Sequence, residues 1–162
     1  MPDYDLYVLS SLRDRNSLNN FINRFSDRQS CEDLKDEELM ILPHGISDDV
    51  STNFDEYDWV PAVDISNVVE IGMKKPFKGF RFYLNSKEDY ISKLILSFTT
   101  DGYVIYGLSI DSELKDVANL RNVLNDLFND FQGISGGIFL EESAPLSSKR
   151  FLDMLDQSEE RI

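Results

Sequence analysis

The chain has 162 residues, 41% of them hydrophobic and 12% aromatic, with a formal net charge of −14. That apolar content suffices for one core and one domain, while the charge argues against nucleic acid or anionic lipid as a direct partner. No stretch approaches the roughly 20 apolar residues of a membrane span, and Met1-Pro2-Asp3-Tyr4-Asp5 has neither the basic nor the apolar region of a leader, so a cytoplasmic protein is expected. The single cysteine, Cys31, cannot form an internal disulfide, in keeping with a reducing compartment. Flanked by Glu32 and Asp33, it reads as an inert thiol.

Residues 4–9 alternate as a strand, and Leu18, Phe21, Ile22 and Phe25 then fall at i, i+3, i+4 and i+7, which predicts an amphipathic helix capped by Asp14 or Asn16. Residues 31–59 form an acidic, loop-rich segment in which Leu39–Leu42 can make a short strand and Pro43-His44-Gly45 a turn. The β-branched residues Val68, Val69 and Ile71 suggest a strand within 60–73, and residues 80–84 alternate as another. Residues 93–100 and 103–109 flank Asp101-Gly102, a type I′ hairpin signal whose register places Phe98 opposite Ile105 and Leu96 opposite Gly107.

Asp111 or Ser112 is placed to cap a long helix carrying Leu114, Val117, Leu120, Leu124, Leu127, Phe128 and Phe131 on one face, closed by Gly133. Gly136-Gly137 leads into a strand at 138–140, ending at Glu141-Glu142. Ser147 is placed to cap a last helix with Leu146 and Phe151 as its staple, and residues 158–162 should fray. The expectation is a single α+β domain over residues 1–162, mainly antiparallel sheet with about three helices. Tyr4 to Phe25 and Tyr103 to Phe131 are each a strand followed by a helix, and two such units in one sheet would give a ferredoxin-like sandwich.

Charge is concentrated in one place. Between Lys35 and Lys74 there is no lysine or arginine, yet residues 36–73 hold ten carboxylates, so this segment carries −10 of the net −14. Such a field steers a basic partner to one face. Within it, Phe54-Asp55-Glu56-Tyr57-Asp58-Trp59 mixes acids with aromatic groups, including the only tryptophan, the composition of an interface with apolar anchors and a charged rim. The candidate partner-binding residues are therefore Asp48, Asp49, Asp55, Glu56, Tyr57, Asp58 and Trp59. The following patch of Lys74, Lys75, Lys78 and Arg81 reads as a structural balance to these acids rather than a nucleic-acid platform.

No catalytic constellation accompanies them. His44, the lone histidine, sits in a turn without a nucleophile or cofactor motif nearby, which leaves a small enzyme using His44 as a minor alternative. No phosphate-binding loop occurs, Cys31 and His44 are too few for a soft metal, and the acids lack the spacing of a calcium loop. Neither a metal nor a cofactor is expected. A DNA mimic acting on a DNA-binding protein is a second alternative, disfavoured because the carboxylates cluster instead of spreading along a surface.

The run Tyr106-Gly-Leu-Ser-Ile-Asp111 leading into a helix, followed by Gly136-Gly-Ile-Phe-Leu-Glu-Glu142, in a small acidic α+β chain without catalytic residues, resembles immunity proteins of bacterial polymorphic toxin and contact-dependent growth inhibition systems. That resemblance covers mainly the C-terminal half. It implies a non-enzymatic inhibitor that binds a basic toxin C-terminal domain, of nuclease type, and occludes its active site or substrate cleft.

Overall fold

The computed structural model describes residues 2–26, 38–42, 58–62, 64–114 and 119–162. Strand β1 (Asp3–Ser10) leads into helix α1 (Arg15–Phe25), which Asp14 caps by accepting from the Ser17 N–H. The capping acceptor satisfies a first-turn donor that has no partner within the helix. All four apolar residues of the predicted stripe on α1 are buried. Strands β2 (Glu38–Ile41) and β3 (Asp58–Pro61) form an antiparallel hairpin, followed by α2 (Ile65–Lys74), β4 (Phe80–Leu84), β5 (Ile91–Phe98) and β6 (Val104–Asp111). Helix α3 (Leu120–Asp130), β7 (Gly133–Leu140), α4 (Ser148–Met154) and β8 (Glu160–Arg161) complete the described chain.

Six strands form one antiparallel sheet in the order β4-β5-β6-β1-β7-β8. Its centre, β5-β6-β1-β7, with α1 following β1 and α3 following β6, has the strand order of the ferredoxin-like βαββαβ arrangement. The elements β2 to β4 are inserted between α1 and β5. Helices α1, α2 and α3 share the core on one face, where Leu18, Phe21 and Val68 join Leu6, Tyr106 and Leu127. On the second face a smaller cluster collects Tyr7, Leu9, Ile105 and Phe139 under Phe151 of α4 and Leu155. The two-sided cover expected for the central hairpin is present.

Four expectations need correction. Residues 65–74 are a helix, not a strand: Ile65, Val68, Val69 and Gly72 are its buried residues, an i, i+3, i+4, i+7 set, and Asp64 caps it at the Asn67 N–H. Burial along a helical stripe outweighed β-branched propensity. The β5–β6 register is shifted by one residue, pairing Phe98 with Val104 and Leu96 with Tyr106. Only Gly102 in that turn takes a positive φ, +94°, whereas a type I′ turn needs two such residues; the loop is Thr100–Gly102. A slip of one residue exchanges the faces, and it places Ile105 with Ile95 in the second cluster.

The long helix begins later than expected. A short 3₁₀ turn spans Ser112–Leu114, and α3 starts after Asn119, whose side chain accepts from the Asn122 N–H at 3.4 Å; Val117 lies outside the described residues. Finally, the C-terminal end is paired: β8 joins β7 at Gly137 and Ile138, and the Ile162 N–H donates to the Gly136 carbonyl at 2.8 Å.

Arg13 locks the insertion to the sheet. Its guanidinium is buried, and its five N–H groups reach five backbone carbonyls: Gly72, Lys75 and Lys78 around the end of α2, and Thr99 and Tyr103 at the β5–β6 turn, at 2.6–3.0 Å. Burial lowers its pKa to about 10, so it stays charged at neutral pH. The negative end of the α2 dipole lies at the carbonyls that receive it.

Candidate functional site

Of the seven predicted partner-binding residues, Asp58 and Trp59 are described, and both are exposed on β3, with Trp59 on the outer face and Asp58 on the other. Asp48, Asp49, Asp55, Glu56 and Tyr57 lie outside the described residues, as do His44 and Cys31. The β2–β3 hairpin buries Leu39 and Ile41 in the helix-side core, and period-2 alternation puts Met40 on the opposite, outer face. Trp59 is the direct cross-strand partner of Met40 and remains 52% exposed. A half-exposed indole next to a thioether is an apolar spot on a surface whose adjoining sequence is acidic. The hairpin is anchored by reciprocal backbone bonds between Leu42 and Gly79, at 2.7 and 2.9 Å. Lys78 Nζ lies 3.6 Å from Asp58 Oδ2, and Lys74 pairs with Glu70 at 3.0 Å, so part of the basic patch does balance the acids. Both pairs are open to water and add little stability.

A second surface was not anticipated. Side chains on the second face of the sheet are apolar beneath α4 and become polar toward the starts of β1 and β5. There, an open cleft of about 390 Å³ has Tyr7, Ile95 and Ser109 in its floor, Tyr83 and Lys93 on one side, and Asp3, Asp5, Glu141 and Glu142 on the other. Sheet pairing assembles it: Tyr83–Ile95–Gly107–Tyr7 is one cross-strand row and Lys93–Ser109–Asp5 the next. The Tyr7 ring lies directly over Gly107, where an added Cβ would stand 2.7 Å from two ring carbons. Tyr83 is 48% exposed, and the ammonium of Lys93 sits 5.9 Å from its ring centroid.

Asp5 is the unusual group. It is 7% exposed, and its two oxygens accept from Ser109 Oγ and, at 3.0 Å, from the Glu142 N–H. Burial pushes its pKa up to about 6, those two hydrogen bonds oppose the rise, and the charges of Asp3 and Glu141 add to it. Tyr7 donates to the Glu142 carbonyl, and burial keeps its phenol protonated well above the ordinary range. The segment after β7 is thus fixed on both sides of Glu142, and it continues across the sheet with Arg81 donating to the Ala144 carbonyl and Ser97 to that of Pro145.

One signal for this cleft was available. Asp3 and Asp5 lie on the same strand face as Tyr7 and Leu9, so that face turns from acidic to apolar along β1. Among the described residues no group of three or more potential ligands could hold a metal ion, and no helix is long and apolar enough to cross a membrane. No family model, curated protein or solved structure matches the chain.

Proposed function

We propose that this chain is a non-enzymatic, immunity-type inhibitor that acts in the cytosol by binding a basic protein, of toxin-domain type, through the acidic segment and the β2–β3 hairpin. The observation that carries this reading is Trp59, held half-exposed opposite Met40 at the end of the run from Asp48 to Asp58. An indole anchor within a carboxylate rim suits a partner whose lysines and arginines otherwise contact phosphates. The carboxylates would steer encounter, and Trp59 with Tyr57 would supply the buried contact area that slows release. Inhibition would be stoichiometric occlusion, with no metal or cofactor.

The test is retention of a partner on the tagged chain from its own source, at low and high salt. A single basic protein should be held in equimolar amount and loosened by salt. Asp55→Lys with Glu56→Lys should slow its association and flatten the salt dependence, while Trp59→Ala should speed its release. A partner indifferent to all three substitutions, or no basic partner at either salt, would overturn the reading.

A further inference from the structure

We propose that the cleft on the second sheet face is a separate docking site for an arginine side chain of a protein partner. Four carboxylates, Asp3, Asp5, Glu141 and Glu142, face one ammonium, Lys93, across a floor and wall that carry Tyr7 and Tyr83. A guanidinium satisfies both features, because it takes carboxylates through paired N–H groups and lies flat on aromatic rings. Lys93 already holds a cation over Tyr83, so this wall receives positive charge within the chain itself.

The second argument is the incomplete environment of Asp5. Its hydrogen bonds come from a hydroxyl and a backbone N–H, and the charged groups that act on it, Asp3 and Glu141, are both negative. A carboxylate removed from water without a counter-charge is costly unless a cation is supplied. Among the described residues Lys93 is the one cation that lines the cleft, set against four carboxylates, and the cleft opens beside Asp5. The site lies on the sheet face opposite the core that buries Leu39 and Ile41 of the β2–β3 hairpin, so it is independent of the hairpin reading and stands or falls separately.

The groups facing Asp5 are Asp3 and Tyr7 from β1, Ser109 from β6, Lys93 from β5, Tyr83 from β4, and Glu141 and Glu142 after β7. Burial keeps the Tyr7 phenol protonated throughout pH 5 to 7.5. Asp5, with its pKa of about 6, changes charge within this interval, and an arginine in the cleft should bind more tightly as it ionises.

The experiment titrates the full chain with two N-acetylated, C-amidated tripeptides, Gly-Arg-Gly and its uncharged counterpart Gly-citrulline-Gly, following backbone amide shifts by NMR. The expected result is that the arginine peptide moves the amides of Tyr7, Gly107, Ser109 and Glu142, binds at least tenfold more tightly than the citrulline peptide, and weakens several-fold from pH 7.5 to pH 5. Asp5→Asn should remove the pH dependence. Asp3→Asn with Glu142→Gln, which alters no buried group, should weaken binding at both pH values, and Trp59→Ala should leave it unchanged. Shifts outside the cleft, equal response to both peptides, or binding by Asp5→Asn that still follows pH would each overturn the proposal.

Discussion

The same three strands β5, β6 and β1 run under both halves of the second sheet face, and the two halves are built for opposite ends. In the covered half, Leu9, Ile105 and Phe139 meet Phe151 and Leu155, and the face is dry. In the bare half, four residues along β1 and β6, the positions are Asp5 and Ser109, with Lys93 beside them on β5. Tyr7, lying over Gly107, is the boundary, apolar toward α4 and polar at its hydroxyl. An apolar residue in place of Asp5 would extend the core. A buried acid held there instead marks the bare half as a surface under a demand other than stability.

The sharpest way to test the covered half is Phe151→Ala. Phe151 is fully buried and packs edge-on against Phe139 with ring centroids 6.2 Å apart. Its truncation leaves a cavity between α4 and the sheet and should cost about 3–5 kcal/mol by urea unfolding. A loss below about 1 kcal/mol would mean that α4 is not a structural cover. Gly107→Ala tests the boundary. The new methyl must push the Tyr7 ring aside or fail to fit beside Ile95, for which overpacking costs of about 1–3 kcal/mol are usual. Near-neutral behaviour in thermal unfolding would show that the ring moves freely and that the cleft floor is not fixed.

Local pattern made the covered structure legible and left the bare half hidden. Helix α1 could be read because Leu18, Phe21, Ile22 and Phe25 advertise one face within eight residues, with Asp14 placed to cap it. In α2 the same spacing exists, but its fourth member is Gly72, which carries no apolar side chain, and the valines imposed a strand. Strand β8 was invisible because two polar residues have no alternation to show, and their pairing is with a distant partner, β7. The cleft draws on β1, β4, β5, β6 and the residues after β7, and only the sheet order brings them together. Asp5 was in view all along as an acid between Tyr4 and Leu6; its burial depended on neighbours over a hundred residues away, at Ser109 and Glu142.

Asp5→Asn should act in the opposite direction to the core substitutions. The folded pKa, about 6, lies above the ordinary 3.8, so the folded chain holds a proton that the unfolded chain has released between those values. Stability therefore falls as pH rises from about 4 to 6, and the penalty is complete above that range. Asparagine avoids the charge while still accepting from the Glu142 N–H and offering its amide to Ser109. The gain at pH 7.5 should be about 1–2 kcal/mol, discounted because the cleft side of Asp5 is wet, and it should vanish near pH 4. Urea midpoints of both proteins across pH 4–8 measure it, and parallel curves would show that Asp5 carries no electrostatic cost.

Tyr83→Ala gives the smallest expected change in stability and the cleanest contrast with Phe151. Both are aromatic residues at the same sheet face, Phe151 reaching it from α4, but Tyr83 is on the edge strand β4, half exposed, and lies beside Lys93 instead of a core. Losing one solvent-exposed cation–π contact and a ring at the rim should shift unfolding by about 0.5 kcal/mol or less. If the bare half is a binding wall, the same substitution should weaken the arginine tripeptide several-fold, so stability and recognition separate in a single variant. A change in unfolding as large as that of Phe151→Ala would make Tyr83 part of the core and erase the distinction between the two halves. Unchanged peptide affinity with unchanged stability would leave the carboxylates as the whole of the site and remove the aromatic wall from it.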